Sequence, residues 1–341
     1  MAVLELTRER ILAFRRATQA LDRRLPFAPD SLRRAAWAGL QDSVPRSALH
    51  SLHARVEAVP PDVLDDPALV QVWGLRYTAF VVPADAHWAF TLSRLPEKGR
   101  TRQRAEELAA RLQEHLDGRR VPYGRAGEAL GVHPNALRYA SLTGTVLIRW
   151  EGARAPLIWK VPAPEMTALE ARVELARRYH HLYGPSTPDA FARWAGLSRK
   201  EVQPAWALLQ PSLLSVQTPI GEAELLTEDE PLVRAAPAAT GAVRLLPSGD
   251  PYYLLQGADR ELLVPDGERR PLLWTPRVWP GALLIGDEIA GTWRRAEATV
   301  VVSPWRRLSP KERTSVEAEA ATLPLPEVSA AVQVRWDDAA G

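Results

Sequence analysis

The sequence predicts an α+β protein made of three tandem winged helix-turn-helix units and a β-rich C-terminal region. Three segments repeat one pattern, in which a glycine separates two helices. One repeat is followed by an alternating β-hairpin, and from about residue 242 short apolar runs alternate with glycine, proline and aspartate. A length of 341 residues also exceeds the usual size of a single domain. These observations favour several small units over one large core.

The three repeats carry glycine at equivalent places. They begin at Ala35, Ala126 and Phe191, and the glycines are Gly39, Gly131 and Gly196. Glycine suits the left-handed backbone that ends one helix and turns into the next. In the third repeat, Ser186 or Thr187 can cap the first helix, and Ser198 with Glu201 forms a capping box for the second. This pattern is typical of helix-turn-helix units.

Other elements follow from periodicity. Helices are predicted at 7–21, 101–116 and 168–183, and a strand-like run at 69–83. Residues 144–161 alternate as two strands with a turn at 151–153, and this hairpin is the wing of the second unit.

The predicted domains are a first unit at 1–97, a second at 98–165 and a third at 166–220. An acidic, then Ala/Pro-rich connector is expected at 221–241. Residues 242–341 form the β-rich domain, as a twisted sheet or a small barrel, with one helix that begins at Ser309, Pro310 and Glu312.

Composition excludes several classes of function. Cysteine is absent, which excludes disulfides and thiolate metal sites, and the seven histidines lack metal-ligand spacing, so we expect neither a metal nor a cofactor. A net charge of +2 gives no basic tail. No apolar stretch is long enough for a membrane helix, and the first residues do not resemble a signal peptide. We therefore expect a monomer in the cytoplasm, associated with the nucleoid and not with a membrane.

Four separated segments, at 69–83, 176–197, 245–255 and 280–295, occur in the order of a known family. They resemble the AlkZ/YcaQ (AlkX) DNA glycosylases over about residues 7–323. This resemblance implies three tandem winged helices in a C-shaped body with a C-terminal β-rich, barrel-like element. It also implies damaged duplex DNA as the partner, with excision of alkylated bases, in some members from bulky adducts or crosslinks.

The resemblance also locates a catalytic motif, which in the family reads Gln-x-Gln or Gln-x-Asp. Gln41 falls on the first Gln, and Ser43 stands where the second Gln or the Asp is expected. Asp42 is the candidate substitute for the missing group. Asp42 and Ser43 also fit a purely structural role, as caps of a helix beginning near Pro45. Phe80 stands where many members have His.

Positions on and beside the helix-turn-helix units predict DNA contacts. The candidates are Arg33, Arg34, Arg46, Arg55, His133, Asn135, Arg138, Arg149, Arg154, Arg199 and Lys200. Each one alone also fits a solvated surface residue. Trp37, Trp150 and Trp194 are expected in the core, and Asp250 and Asp287 in turns.

Three functions remain open at this point. The first is a monofunctional glycosylase, in which the amide of Gln41 orients a water against the sugar of a purine that is already a good leaving group. The second is a catalytically silent DNA-binding protein, a lesion sensor or regulator, because Ser43 supplies no charge. The third is a winged-helix module that contacts other proteins.

Overall fold

The computed structural model describes residues 4–44, 46–150, 155–326, 328 and 330–337. Its N-terminal part consists of β1 (Leu4–Glu5), α1 (Arg8–Thr18), α2 (Pro29–Ala35), β2 (Leu40–Gln41), α3 (Ser47–Arg55), β3 (Leu69–Trp73), β4 (Ala79–Pro83) and α4 (His87–Thr91). The next part contains α5 (Arg100–Leu116), β5 (Val121–Pro122), α6 (Tyr123–Ala129), a 3₁₀ helix (Pro134–Thr143), β6 (Val146–Arg149) and β7 (Leu157–Lys160).

The remaining elements follow in chain order. The third part comprises α7 (Ala168–Tyr183), α8 (Pro188–Ala195), α9 (Arg199–Leu209), β8 (Leu213–Thr218), β9 (Gly221–Leu226) and α10 (Glu230–Ala235). The C-terminal part comprises β10 (Val243–Leu246), α11 (Asp259–Leu263), α12 (Arg270–Leu273), β11 (Gly281–Ile285), β12 (Glu288–Ala296), β13 (Thr299–Pro304), α13 (Pro310–Ala321) and β14 (Gln333–Trp336). None of the helices in the described ranges is both long and apolar enough to cross a bilayer.

The glycines of the three repeats have the predicted left-handed backbone. Their φ angles are +79° at Gly39, +63° at Gly131 and +69° at Gly196. Two repeats differ in detail from expectation. In the first, α2 ends at Ala35 and the short strand β2 precedes α3, whereas in the second the segment after the glycine is a 3₁₀ helix.

Local signals for the helices are confirmed. Thr187 caps α8 by accepting a hydrogen bond from the backbone of Ala190, and complete capping boxes start α9 at Ser198 and α13 at Ser309. The apolar stripe of α5 is buried as its spacing predicts, and α7 has the predicted bounds. Each of these starts depends on residues within four positions of one another, which explains why sequence alone locates them.

A six-stranded sheet joins the first two parts of the chain. Its order is β2-β4-β3-β6-β7-β5. The hairpin of β6 and β7 is antiparallel, as predicted for residues 144–161, and it meets β3 where Ile148 pairs with Gln71. Residues 151–154, which include the predicted turn and Arg154, lie outside the described ranges. The sheet therefore crosses the boundary predicted at residue 97, and the domain limits stay predictions.

The C-terminal sheet is open in the described residues, so of the two expected forms, a sheet or a small barrel, the barrel-like one is wrong. Its order is β10-β11-β12-β13-β14, with β10 and β14 at opposite edges. Helix α13 covers the sheet, because Val316 and Ala320 share a buried cluster with Val243 and Val300. A helix that buries the apolar face of a sheet removes the need for closure.

The segment expected to be a connector is folded. Residues 221–226 form β9, which pairs antiparallel with β8, and α10 follows. Strand β1 adds in parallel to β8, so this small sheet holds the start of the chain. One large core cluster contains Phe80, Tyr179, Trp194 and Tyr253 and so packs all parts of the chain against each other.

Candidate active site

Gln41 lies at the end of β2, where a tight turn brings the chain alongside β4. Leu40 pairs with Val81 and Gln41 pairs with Phe80. The turn needs glycine at position 39, because a Cβ there would lie 2.9 Å from the Phe90 ring and 3.0 Å from the Phe80 ring. Phe80 is fully buried. Two aromatic rings therefore pack against the turn at Gly39 and fix the backbone that leads into the motif.

The side chains of Gln41 and Ser43 are joined directly. The Nε2 amide of Gln41 donates a hydrogen bond of 2.5 Å to Ser43 Oγ. The backbone carbonyl of Gln41 accepts from Ser47 Oγ at 2.8 Å, which ties the motif to the start of α3. On the other side the backbone of Gly249 packs on the amide, and a Cβ there would lie 3.4 Å from Gln41 Cδ. Gln41 is thus held in one orientation by its neighbours.

Arg76 completes this group and was missed by the sequence analysis. Its Nη2 donates to Gln41 Oε1 at 3.4 Å, and its Nη1 donates to the carbonyl of Trp194. Arg76 has a left-handed φ of +52° in the turn between β3 and β4. Burial lowers the pKa of its guanidinium. Nothing in the local pattern of the strand-like run at 69–83 distinguishes this arginine from a solvated one.

Gln41, Ser43 and Arg76 line an open cavity of about 380 Å³. The other lining residues are Val44, Ser248, Gly249, Leu254, Gln256, Arg277, Val278 and Trp279. Two guanidinium groups and no carboxylate are found among these described residues. The cavity is therefore polar and positively charged, and its walls come from two distant stretches of the chain, residues 41–76 and 248–279.

Asp42 faces away from this cavity. It is 3% exposed, and its carboxylate accepts from the backbone of Ala48 at 3.0 Å and from Gln71 Nε2 at 2.6 Å. Gln71 in turn accepts from the backbone of Trp150 at 2.6 Å. Burial raises the pKa of Asp42 to about 6. Asp42 therefore lies apart from the cavity that Gln41 and Ser43 line. It accepts from the first turn of α3, whose N-cap position is Arg46, and through Gln71 of β3 it is linked to Trp150.

Arg55, a candidate for DNA contact, lies in the interior. It is 1% exposed and forms a two-pronged ion pair with Asp250, at 2.7 and 2.8 Å. Arg55 also donates to the Ser51 carbonyl and to Gln19 Oε1. A buried guanidinium with four acceptors has no surface to offer a phosphate. Its role is to fix the loop that carries Gly249 next to Gln41.

Comparison with known proteins bears on this arrangement. The model of the family described as "DNA glycosylase AlkZ-like" matches residues 32–324. The chain belongs to the AlkZ-like DNA glycosylase family. Among solved structures, Streptomyces sahachiroi DNA glycosylase AlkZ is similar with a TM-score of 0.81 and 19% identity, over 98% of this chain and 100% of that one. None of the curated proteins compared with the chain matches it. The resemblance inferred from the separated motifs is therefore confirmed.

Most of the other predicted DNA contacts of this AlkZ-like chain are at least partly exposed. Arg34, His133, Asn135, Arg199 and Lys200 are exposed, and Arg33, Arg46, Arg138 and Arg149 are half-buried. They lie on three helix pairs and on β6. Two of them, Arg46 and Arg149, are close enough to the motif to act electrostatically on Asp42.

Several of these side chains already have protein partners. Arg33 pairs with Asp30, Arg199 with Asp189, and Arg149 with Asp65. Arg138 donates to the carbonyl of Tyr77 at 3.3 Å, next to Arg76. The exposed pairs cost little to exchange for phosphate, because surface ion pairs contribute about 0–1 kcal/mol.

A second cavity, of about 250 Å³, adjoins the first. The two share Val44, Ser248, Val278 and Trp279, and the second also includes His50, Trp293, Arg294 and Arg295 in its lining. Burial lowers the pKa of His50 to about 4. The two cavities therefore form one longer depression, which follows the segment around Val278 and Trp279, just before β11.

Proposed function

We propose that this AlkZ-like protein is a monofunctional DNA glycosylase that hydrolyses the N-glycosidic bond of alkylated or bulky purines in duplex DNA. The observation that carries the proposal is the pair Gln41 and Ser43, joined by a hydrogen bond in the wall of an open cavity. Membership of the family supports it. The similarity of the fold to that of the Streptomyces sahachiroi protein, which is named as a DNA glycosylase, supports it as well.

The side chains of Gln41 and Ser43 can together bind and orient a single water molecule. The hydroxyl of Ser43 accepts from Gln41, so its own proton points elsewhere, and it has a second lone pair. A water can donate to Ser43 Oγ and to Gln41 Oε1 and present its oxygen to the sugar carbon. That carbon forms a bond to the water oxygen, and the bond to the base breaks with its electron pair going to the purine.

An N-alkylated purine needs little further help, because it carries positive charge and leaves as a neutral base. The water then loses its proton to solvent, and no carboxylate is required. Arg76 and Arg277 in the cavity suit the phosphates that flank the damaged nucleotide. We further propose that the three helix pairs act as tandem winged helices, with the exposed cations at their starts contacting the rest of the duplex.

The test compares Gln41→Ala with the wild type and with Gln103→Ala, which changes an exposed glutamine on α5. Duplexes carrying 7-methylguanine or a bulky N7 adduct are incubated with excess protein, and abasic sites are measured by heat cleavage. Loss of a group that positions the water is expected to slow base release by about 10²-fold or more. DNA affinity is expected to stay unchanged, and Gln103→Ala to behave as the wild type.

A second candidate is a lesion-binding protein without catalysis. It is favoured by the cavity lining, where Ser43 replaces the second Gln or the Asp and no described residue supplies negative charge for the sugar cation. Salt-dependent binding to damaged duplex without abasic sites at any lesion size would support this candidate and exclude the glycosylase.

A further inference from the structure

Trp279 belongs neither to the motif at residues 41–43 nor to the three helix pairs, so the proposed function has not yet given it a role. It lies between α12 and β11, in a stretch bounded by Thr275 and Pro280. Its side chain is half-buried and lines both cavities, the one with Gln41 and the adjoining one. A large aromatic ring therefore lines the same cavity as the residues proposed to hold the water.

The indole is supported from behind by packed side chains. Its ring centre is 6.1 Å from that of Tyr253, which is fully buried and donates from its hydroxyl to the carbonyls of Pro247 and Pro280. The guanidinium of Arg260 lies 5.4 Å from the Trp279 ring centre and 4.9 Å from that of Trp274. The ring thus packs on the core while it forms part of the cavity wall.

The backbone on either side of the indole is also fixed. The carbonyl of Val278 accepts from Thr275 Oγ1 at 3.0 Å and from Arg294 Nη2 at 3.2 Å. Pro280, which follows, is buried and restricts its own backbone. A ring that is held before binding loses little conformational freedom on contact with a ligand.

We propose that Trp279 is the stacking surface for a purine turned out of the duplex. This inference rests on the proposed function, since it places the everted nucleotide with its sugar beside Gln41. An enzyme that acts on a base in a duplex must take it out of the helix and receive it between aromatic or apolar side chains. Every base offers a flat π surface to an indole, so Trp279 would recognise the base as a planar ring and would not distinguish which base it is.

Binding of non-cleavable duplexes by the full chain tests the inference, because it does not depend on catalysis. Three otherwise identical fluorescent duplexes are used, with a 2′-fluoro-7-methyldeoxyguanosine, a tetrahydrofuran abasic analogue or an undamaged deoxyguanosine at one position. The variants are Trp279→Leu, Trp279→Phe and Trp305→Leu. Trp305 is the matched control, since it is also half-buried against the same core cluster but lines neither cavity.

Trp279→Leu is expected to weaken binding of the methylated duplex by about 5- to 150-fold, the usual value of one base–aromatic stack. Binding of the abasic and undamaged duplexes is expected to stay at the wild-type level. Trp279→Phe is expected to retain most of the affinity, and Trp305→Leu all of it. Thermal melting of each variant shows whether it is folded.

Equal weakening of all three duplexes by Trp279→Leu would overturn the inference, since the ring would then contact the backbone and not the base. Wild-type affinity in Trp279→Leu, or a wild type that gains nothing from the methylated base over the abasic analogue, would overturn it as well. The proposed function is judged separately. If base release needs Gln41 but does not change in Trp279→Leu, the proposed glycosylase activity is supported and the stacking role is not. If the protein prefers the methylated duplex through Trp279 but releases no base, the stacking role is supported and the glycosylase activity is not.

Discussion

Replacing Asp250 by alanine is expected to destabilise the protein strongly, because it leaves a buried arginine without its counter-charge. Asp250 is fully buried and accepts four hydrogen bonds, two from Arg55 and one each from Ser51 Oγ and the backbone of Tyr252. Removing one partner of such a pair typically costs about 3–5 kcal/mol. We expect a loss of that size in the free energy of unfolding of Asp250→Ala.

The assay is urea unfolding at 25 °C followed by tryptophan fluorescence. Asp287→Ala is the matched control, since Asp287 is an exposed turn residue between β11 and β12, and its loss is expected to cost less than about 0.5 kcal/mol. The double variant Arg55→Met/Asp250→Leu removes both charges and is expected to recover most of the stability, because buried pairs are often replaceable by apolar residues.

A loss below about 1 kcal/mol in Asp250→Ala would refute the reasoning, because Arg55 would then have to reach water or another acceptor. A double variant as unstable as Asp250→Ala would also contradict it. Where Asp250→Ala stays folded at low temperature, base release should fall as well. The reason is that Gly249, which packs on Gln41, is adjacent to the lost anchor.

Two further predictions concern a crowded glycine and a buried histidine. Gly196→Ala is expected to cost more stability than Gly131→Ala, and of the two variants only Gly196→Ala is expected to slow base release. Both glycines have positive φ, but only at Gly196 would the added Cβ lie 2.7 Å from Arg76 Cγ. Urea unfolding measures the loss of stability, and abasic-site formation measures base release. His180→Phe is expected to reduce acid sensitivity. Burial lowers the pKa of His180 from its ordinary value of 6.5 to about 3. As the pH falls below 6.5, the unfolded chain binds a proton at this histidine and the folded protein does not, so the protein loses roughly 2 kcal/mol of stability by pH 5. The difference between unfolding at pH 7 and at pH 5 should be smaller in the variant than in the wild type.

Sequence predicted best what depends on neighbouring residues. The capping boxes at Ser198 and Ser309, the left-handed turn at Gly196 and the bounds of α7 all follow from patterns spanning a few positions. It failed where partners are distant in the chain. Arg55 was assigned to the surface because no local pattern shows that Asp250, nearly two hundred residues later, neutralises it.

The cavity beside Gln41 illustrates the same limit. Gln41 and Ser43 were located through the motif, but Arg76 and Trp279 come from a turn between strands and from a loop near the C-terminus. An arginine or tryptophan in a loop has the same local signature whether it faces solvent or a ligand. Sequence could predict the motif but not the chemical character of the cavity around it.

The spacing of the motif follows from the local backbone. On a helix, residues 41, 42 and 43 would point about 100° apart, so no two of them would share a side. In the structure this segment leaves the strand β2, where alternate residues face the same way, and Gln41 and Ser43 meet while Asp42 turns into the interior. The residue that could compensate for Ser43 must therefore come from another part of the chain. The described lining of the cavity contains two arginines and no carboxylate, so no side chain there supplies an acidic group in place of Ser43.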